Sequence, residues 1–256
     1  MQIKHLLLML AFACLQVLPA HSQRLYVNGQ AAGTGEGQSW EAAFTSLNDA
    51  LAAAPEGAEV WVATGIYTPC GPEGGPASTF RIEKNLKLLG GFAGYETEVE
   101  ARDPEANAVI LSGDLNGDDV FGDFATNRSD NVMNVMTIGA GVTRKTLIEG
   151  FTIKGGNAYG AALPQHGGGI HCSGSPVIRE CLFEDNYARE NGGALFLSEA
   201  GGKGIALENC HFNHNRANDG GALYSLSSGI SISNCMFTGN TAGAGPHQKN
   251  GGAVYL

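Results

Sequence analysis

The second half of the chain is built on a recurring pattern of apolar and polar positions. Three segments align without gaps and share their Cys, Phe, Asn and Ala positions: Cys181–Ala188, Cys210–Ala217 and Cys235–Ala242. A glycine pair and a short apolar run follow each segment, and Gly167-Gly168 begins an earlier copy, so that units recur every 25 to 31 residues. Such a unit cannot bury its apolar side chains alone. The pattern therefore predicts stacked coils of short parallel strands, an all-β parallel β-helix.

Stacking would place equivalent residues of successive coils about 4.8 Å apart. The shared asparagines would then form an amide ladder inside a tight turn whose backbone is left-handed, and the phenylalanines an interior stack. The shared cysteines would form a third ladder of small buried thiols that requires no disulfide. The ladders comprise Asn186, Asn215 and Asn240; Phe183, Phe212 and Phe237; Cys181, Cys210 and Cys235. The glycine pairs would supply positive φ where the chain turns.

The first half shows apolar runs with longer connections. Leu25–Val27 is a predicted strand, and the apolar spacing from Trp40 to Ala54 predicts an amphipathic helix that ends at Pro55 and caps one end of the solenoid. Six further runs predict the strands of the first coils: 59–63, 80–82, 86–89, 109–111, 132–138 and 147–153.

The N-terminus has the features of a secretory signal. Lys4 precedes the apolar stretch Leu6–Ala13, and Ala20-His21-Ser22 is a small-x-small cleavage site. We therefore expect a signal peptide at 1–22, a cap with irregular first coils at 23–145, and repeat coils at 146–256 that continue beyond the last residue. The expected location is outside the cell or on its surface.

The charge balance narrows the class of partners. With 15 Lys and Arg against 25 Asp and Glu, the formal net charge is −10. This excess of negative charge argues against nucleic acid and anionic membranes as partners. Membrane association is expected only through parts of the protein beyond this chain.

The repeats resemble those of bacterial surface proteins of the pectate-lyase-like superfamily, specifically the Gly-Gly-Ala-Ile and Phe-x-x-Asn repeats named after chlamydial polymorphic outer membrane proteins. The first half is similar to large secreted β-helix proteins of Bacteroidetes-type bacteria, through motifs such as Ser39-Trp40, Gly90-Gly91-Phe92 and Gly150–Ile153. The resemblance implies a right-handed parallel β-helix at or outside the cell surface. It implies no single activity, because adhesins, lyases and glycosidases share this fold.

One acidic cluster has the composition of a cation-binding loop. Asp114, Asn116 and Asp118 alternate around Gly117, as carboxylate and amide oxygens do in Ca²⁺ loops. The segment lacks the Glu that, at the end of an EF-hand loop, binds Ca²⁺ through both carboxylate oxygens. Two interpretations stay open, a Ca²⁺ site and a solvated loop between coils.

A pair of acids in the first Phe-x-x-Asn turn is the candidate for catalysis. Glu184 and Asp185 could supply the two carboxyl groups that glycoside hydrolysis needs. Thr238 and Gly239 replace them in the third repeat. This irregularity fits either a catalytic site or an ordinary surface.

A row of rings follows the glycine-pair strands, at His171, Phe196, Tyr224 and Tyr255. Alternation along a strand directs the preceding aliphatic residues inward, so the rings should face outward. They could bind sugar rings or a partner protein, or they could only stack on one another.

Together these features favour a non-catalytic, secreted or cell-surface protein, an adhesin or a scaffold that binds polysaccharide or a surface glycan or protein. The alternative is a polysaccharide lyase or a glycoside hydrolase of the same superfamily.

Overall fold

The computed structural model describes residues 23–33, 35–70, 74–160, 165–198, 204–227, 229–243 and 251–256. The predicted signal peptide at 1–22 lies outside the described residues.

The described residues form short strands, one α-helix, α1 (Leu47–Ala53), and a 3₁₀ helix at Val99–Ala101. The strands are, in chain order, β1 (Arg24–Val27), β2 (Glu59–Ala63), β3 (Gly65–Tyr67), β4 (Phe80–Ile82), β5 (Lys87–Phe92), β6 (Val109–Ser112), β7 (Met136–Ile138), β8 (Leu147–Glu149), β9 (Phe151–Lys154), β10 (Asn157–Ala158), β11 (Ile170–Cys172), β12 (Val177–Arg179), β13 (Leu182–Glu184), β14 (Tyr187–Ala188), β15 (Leu195–Leu197), β16 (Ala206–Glu208), β17 (His211–Asn213), β18 (Arg216–Ala217), β19 (Leu223–Ser225), β20 (Ser231–Ser233), β21 (Met236–Thr238), β22 (Thr241–Ala242) and β23 (Val254–Tyr255).

These strands form four parallel sheets that run along the molecule. Sheet A has the order β1-β2-β5-β8-β12-β16-β20 and sheet B the order β21-β17-β13-β9-β6-β3. Sheet C has the order β23-β19-β15-β11-β7-β4, and the short sheet D the order β10-β14-β18-β22. From β8 onward each coil passes through sheets A, B, D and C in turn, as β12, β13, β14 and β15 do. The predicted parallel β-helix is confirmed.

The interior contains the predicted aromatic and amide ladders. The Phe183 and Phe212 rings stack with centroids 4.6 Å apart, and those of Phe212 and Phe237 at 4.7 Å. Asn186 Nδ2 donates to Asn215 Oδ1 at 3.0 Å, and Asn215 Nδ2 donates to Asn240 Oδ1 at 3.0 Å. Each amide therefore satisfies its neighbour inside the turn, where an unpaired polar group would be costly.

The left-handed backbone lies one residue earlier than the sequence indicated. The positive φ belongs to Asp185 (55°), His214 (50°) and Gly239 (63°), and the ladder asparagines that follow them are not among the positive-φ residues. The reason is that each ladder asparagine must also donate to an interior carbonyl, as Asn215 does to Phe183 O at 2.9 Å. The preceding residue makes the turn instead.

The cysteine and glycine positions have separate packing roles. Cys181 and Cys210 are buried free thiols, and burial raises the pKa of Cys181 to about 12, which keeps it protonated. The first glycine of each pair has positive φ, as at Gly192 (62°). The second is needed for close approach, because a Cβ at Gly193 would overlap the carbonyl oxygen of Gly221.

The predicted helix from Trp40 to Ala54 is wrong in its first half. Only Leu47–Ala53 is helical, because Ser46 caps it by accepting the Asp49 N–H at 3.3 Å. Phe44 instead forms a parallel bridge with Val27, and Trp40 packs in an outer cluster with Trp61 and Phe92. The capping role of this helix stays a prediction.

Two predicted strands differ from the observed ones. The run 147–153 divides into β8 and β9 because Gly150, with φ 80°, turns the chain from sheet A to sheet B. Within the run 132–138, only Met136–Ile138 pairs as a strand.

Candidate ligand-binding surfaces

The rings over sheet C form the row that the sequence indicated. Strand register pairs His171 with Phe196, Phe196 with Tyr224, and Tyr224 with Tyr255. The Phe196 and Tyr224 centroids lie 5.8 Å apart, and those of Tyr224 and Tyr255 lie 4.5 Å apart and nearly parallel. Phe196 is only 5% exposed, and His166 stacks on it at 4.5 Å. Most of this aromatic area is therefore covered by neighbouring rings.

The histidines of this region are held in the neutral form. Burial lowers the pKa of His166, although Glu190 at 3.4 Å opposes the shift. Burial also lowers the pKa of His171. A neutral, self-stacked row offers a ligand few polar contacts, and the binding role of these four residues stays a prediction.

The predicted calcium loop is organised around Asp114. Its Oδ1 accepts the Gly117 N–H at 2.7 Å, and its Oδ2 accepts the Asp119 N–H at 3.1 Å. Asp114, Asp118 and Asp130 offer oxygens within 4.8 Å of one another. Asp130, which the sequence did not single out, also accepts the Asn116 N–H at 3.0 Å. Ca²⁺ binding at this loop stays a prediction.

The candidate catalytic acids lie in different surroundings. Asp185 is buried, and its carboxylate accepts from Arg128 Nη2 at 2.5 Å and from the Gly122 N–H at 3.0 Å. Burial raises the pKa of Asp185, and Arg128 opposes the shift. Glu184 lies on sheet B and accepts from Asn213 Nδ2 at 3.0 Å. The catalytic role of this pair stays a prediction.

Arg128 fixes the 114–131 loop against sheet D. Its guanidinium, whose side chain is 4% exposed, donates to Asp123 O and to Asp185 O at 3.1 Å each. Asp119 Oδ2 lies 3.4 Å from Nη1. Burial raises the pKa of Asp119 to about 6, against the opposing effects of Asn131 and Arg128. No sequence pattern indicated this arrangement, since Arg128 is a lone cation in a polar loop.

The loop and sheet D together form a second aromatic region, which we call the sheet-D surface. Ala158, Ala188 and Ala217 pack together in the interior of sheet D, and their neighbours on β14 and β18 face outward. Tyr159 is 61% exposed and Phe121 is 55% exposed. The surface consists of Phe121, Phe124, Tyr159, Tyr187, Arg189 and Arg216.

The rings of the sheet-D surface are tilted rather than stacked. Phe124 lies 5.9 Å from Tyr187 at 39°, and Tyr159 lies 6.3 Å from Tyr187 at 44°. Phe121 contacts His214 at 4.8 Å. Because the rings do not cover one another, parts of their faces stay open to a ligand. Sequence reasoning missed this surface because its rings occupy no common repeat position.

A groove follows the corner between sheets A and B. Its volume is about 810 Å³, and Arg102, Phe151, Glu180 and His211 are among its lining residues. Beside it, Glu149 pairs with Arg102 and, at 3.3 Å, with Arg179. Arg179 also pairs with Glu208 at 2.8 Å. These charges neutralise one another.

The comparisons with known proteins identify one segment. Residues 234–256 match the family model of the Chlamydia polymorphic membrane protein (Chlamydia_PMP) repeat. The match includes Cys235, Phe237, Asn240 and Gly251-Gly252, residues of the third repeat. Comparisons with curated proteins and with solved structures gave no match. Similarity to the pectate-lyase-like superfamily and to Bacteroidetes-type proteins stays a prediction.

In the part of the chain that the structure describes, no helix has the length and apolar character needed to cross a bilayer.

Proposed function

We propose that the chain belongs to a non-catalytic, adhesin-like protein of the cell surface that binds polysaccharide on the outside of its β-helix. The repeat match supports the surface location, because the matching family is one of membrane proteins. The signal-like N-terminus is consistent with export.

The observation that carries the proposal is the open aromatic area of the sheet-D surface. Tyr159 and Phe121 are more than half exposed. Tyr159 and the half-buried Phe124 both lie near Tyr187, and Phe121 contacts His214. Aromatic faces of this kind bind the apolar faces of sugar rings, and exposed apolar clusters on a soluble surface are typical of interaction sites.

The ion pair between one candidate acid, Asp185, and Arg128 supports a non-catalytic role. Asp185 is bound to Arg128, and Glu149 to Arg102 and Arg179. A hydrolase needs one carboxyl group as acid and a second as base or nucleophile, at a separation set by the mechanism.

The test is binding of the purified protein to immobilised neutral and acidic polysaccharides. We expect binding to at least one polysaccharide, and we expect Tyr159→Ala to weaken it. Tyr95→Ala is the matched control, because Tyr95 is 78% exposed and lies in a different loop. Release of reducing or unsaturated sugars would contradict the non-catalytic proposal. Binding that is equally sensitive to both variants would contradict the assignment to the sheet-D surface.

A further inference from the structure

We propose that the sheet-D surface recognises a polysaccharide that bears carboxylate groups, and that Arg189 and Arg216 bind those carboxylates. This inference rests on the proposed polysaccharide-binding function, and it adds the chemical class of the ligand and the residues that select it.

The two arginines lie among the rings of the surface. Arg216 on β18 pairs in register with Tyr187 on β14, so their side chains are neighbours on the outer face. The guanidinium carbon of Arg189 lies 5.6 Å from the Tyr159 ring centroid, and that of Arg216 lies 5.8 Å from the Phe124 centroid. Each cation therefore lies next to a ring that could contact the same sugar.

Neither arginine is neutralised within the described residues. Every ion pair found there uses other cations, and Arg216 Nε is a buried donor without a hydrogen-bond partner.

The carboxylates closest in sequence have partners of their own. Asp219, the nearest one to Arg216, accepts from Asn218 Nδ2 at 3.1 Å. Asp185 binds Arg128, Glu184 accepts from Asn213, and Glu190 lies 3.4 Å from His166. By contrast, Arg102, Arg128 and Arg179 each pair with a carboxylate of this chain.

The chemistry of the surface fits an acidic sugar. A guanidinium presents N–H donors in a planar fork that matches a carboxylate, while the neighbouring ring contacts the C–H face of the sugar. The overall charge of −10 would repel an anionic ligand at long range, but screening limits that repulsion to about 8 Å at physiological ionic strength. Short-range contacts with the two arginines therefore determine the affinity for an acidic polysaccharide.

The experiment measures binding of the full chain to hyaluronan, to polysialic acid and to neutral dextran. The first two probes separate the two common sources of sugar carboxylates, uronic and sialic acids. We expect one or both acidic polymers to bind more tightly than dextran, and binding to weaken as salt is raised. We expect Arg189→Gln to weaken acidic-polymer binding about tenfold, the value of one charge-assisted contact.

Arg81→Gln is the matched control, because it removes the same charge from an exposed arginine. Arg81 lies on β4 of sheet C and pairs with Glu83. This substitution should leave the affinity unchanged. Arg216→Gln should act in the same direction as Arg189→Gln. Since Arg189 is exposed, its substitution tests the inference even if Arg216→Gln fails to fold.

Three results would overturn the inference. Equal binding of dextran and the acidic polymers would remove the role of the carboxylate and leave the proposed polysaccharide binding intact. Tighter binding of poly-glutamate than of either acidic polysaccharide would point to an acidic protein segment instead. Failure to bind any polysaccharide would contradict the proposed function itself.

Discussion

The ring row over sheet C and the sheet-D surface are both aromatic and both lie outside the β-helix, but they are packed differently. Over sheet C the rings occupy one repeat position and stack along the axis, at 4.5 Å for Tyr224 and Tyr255. Over sheet D the rings come from β14, from the residue that follows β10 and from the 114–131 loop, and they meet at 39° and 44°. Arginines lie beside the second set of rings, whereas burial lowers the pKa of His166 and His171 in the first region and disfavours their charged form.

The difference shows how repetition determines whether an outward-facing side chain is free to contact a ligand. A residue type that recurs at one position in every coil meets its own kind above and below, and its contacts are satisfied within the protein. A residue that breaks the repeat, such as Arg216 beside Tyr187, has no equivalent neighbour to satisfy it. The irregular positions of a solenoid are therefore the better candidates for ligand contacts.

The largest effect is expected for Arg128→Ala, which tests whether the 114–131 loop is a fixed part of the sheet-D surface. The substitution leaves the buried carboxylate of Asp185 without its cation, which we expect to cost about 3–5 kcal/mol of unfolding free energy. Chemical denaturation measures this loss. Arg189→Ala is the control and should change stability by no more than about 0.5 kcal/mol. A similar loss in both variants would show that the buried ion pair is not the cause.

The next effect is expected for Phe196→Ala in the row over sheet C. Removing this nearly buried ring should destabilise the protein by about 3 kcal/mol, the usual cost for a buried Phe. Polysaccharide binding by the folded fraction should not change. Tyr159→Ala should show the reverse, weaker binding at unchanged stability. Loss of polysaccharide binding in Phe196→Ala, measured under conditions where the variant is folded, would indicate that the polysaccharide binds to the ring row over sheet C.

A smaller effect is expected from the titration of Asp119. Its pKa is raised to about 6 in the folded protein, so between about pH 4 and 6 the folded state holds a proton that the unfolded state has lost. The contribution of Asp119 to stability therefore decreases as the pH rises through this window. Asp119→Asn should remove that decrease from the pH dependence of unfolding, and the exposed Asp49→Asn should leave it. An unchanged profile in Asp119→Asn would contradict the raised pKa.

The interior of the molecule could be predicted from the sequence because it repeats. Stacked coils place like on like, and the recurrence of Phe183, Phe212 and Phe237 is enough to infer their stack. The left-handed residue of the turn was predicted one position too late, at Asn186 instead of Asp185. The repeat pattern does not indicate which of these two residues adopts positive φ. That choice depends on which side chain must reach an interior carbonyl.

The sheet-D surface could not be predicted, because it depends on how a single non-repeated loop docks. Arg128 and Asp185 are 57 residues apart in the chain, and no periodicity links them. The candidate acids were chosen for their residue type, and only the structure shows that Asp185 is bound to an arginine. For the ring row, alternation predicted the alignment but not the burial of Phe196 beneath His166.

The most direct test of the account is hydroxyl-radical footprinting of the tyrosines with and without saturating hyaluronan or polysialic acid, whichever binds more tightly. Tyr159 and Tyr187 lie on the sheet-D surface, and Tyr224 and Tyr255 lie in the row over sheet C. We expect the ligand to protect Tyr159 and Tyr187 from oxidation and to leave the other two unchanged. Protection of Tyr224 and Tyr255 instead would contradict the assignment of binding to the sheet-D surface.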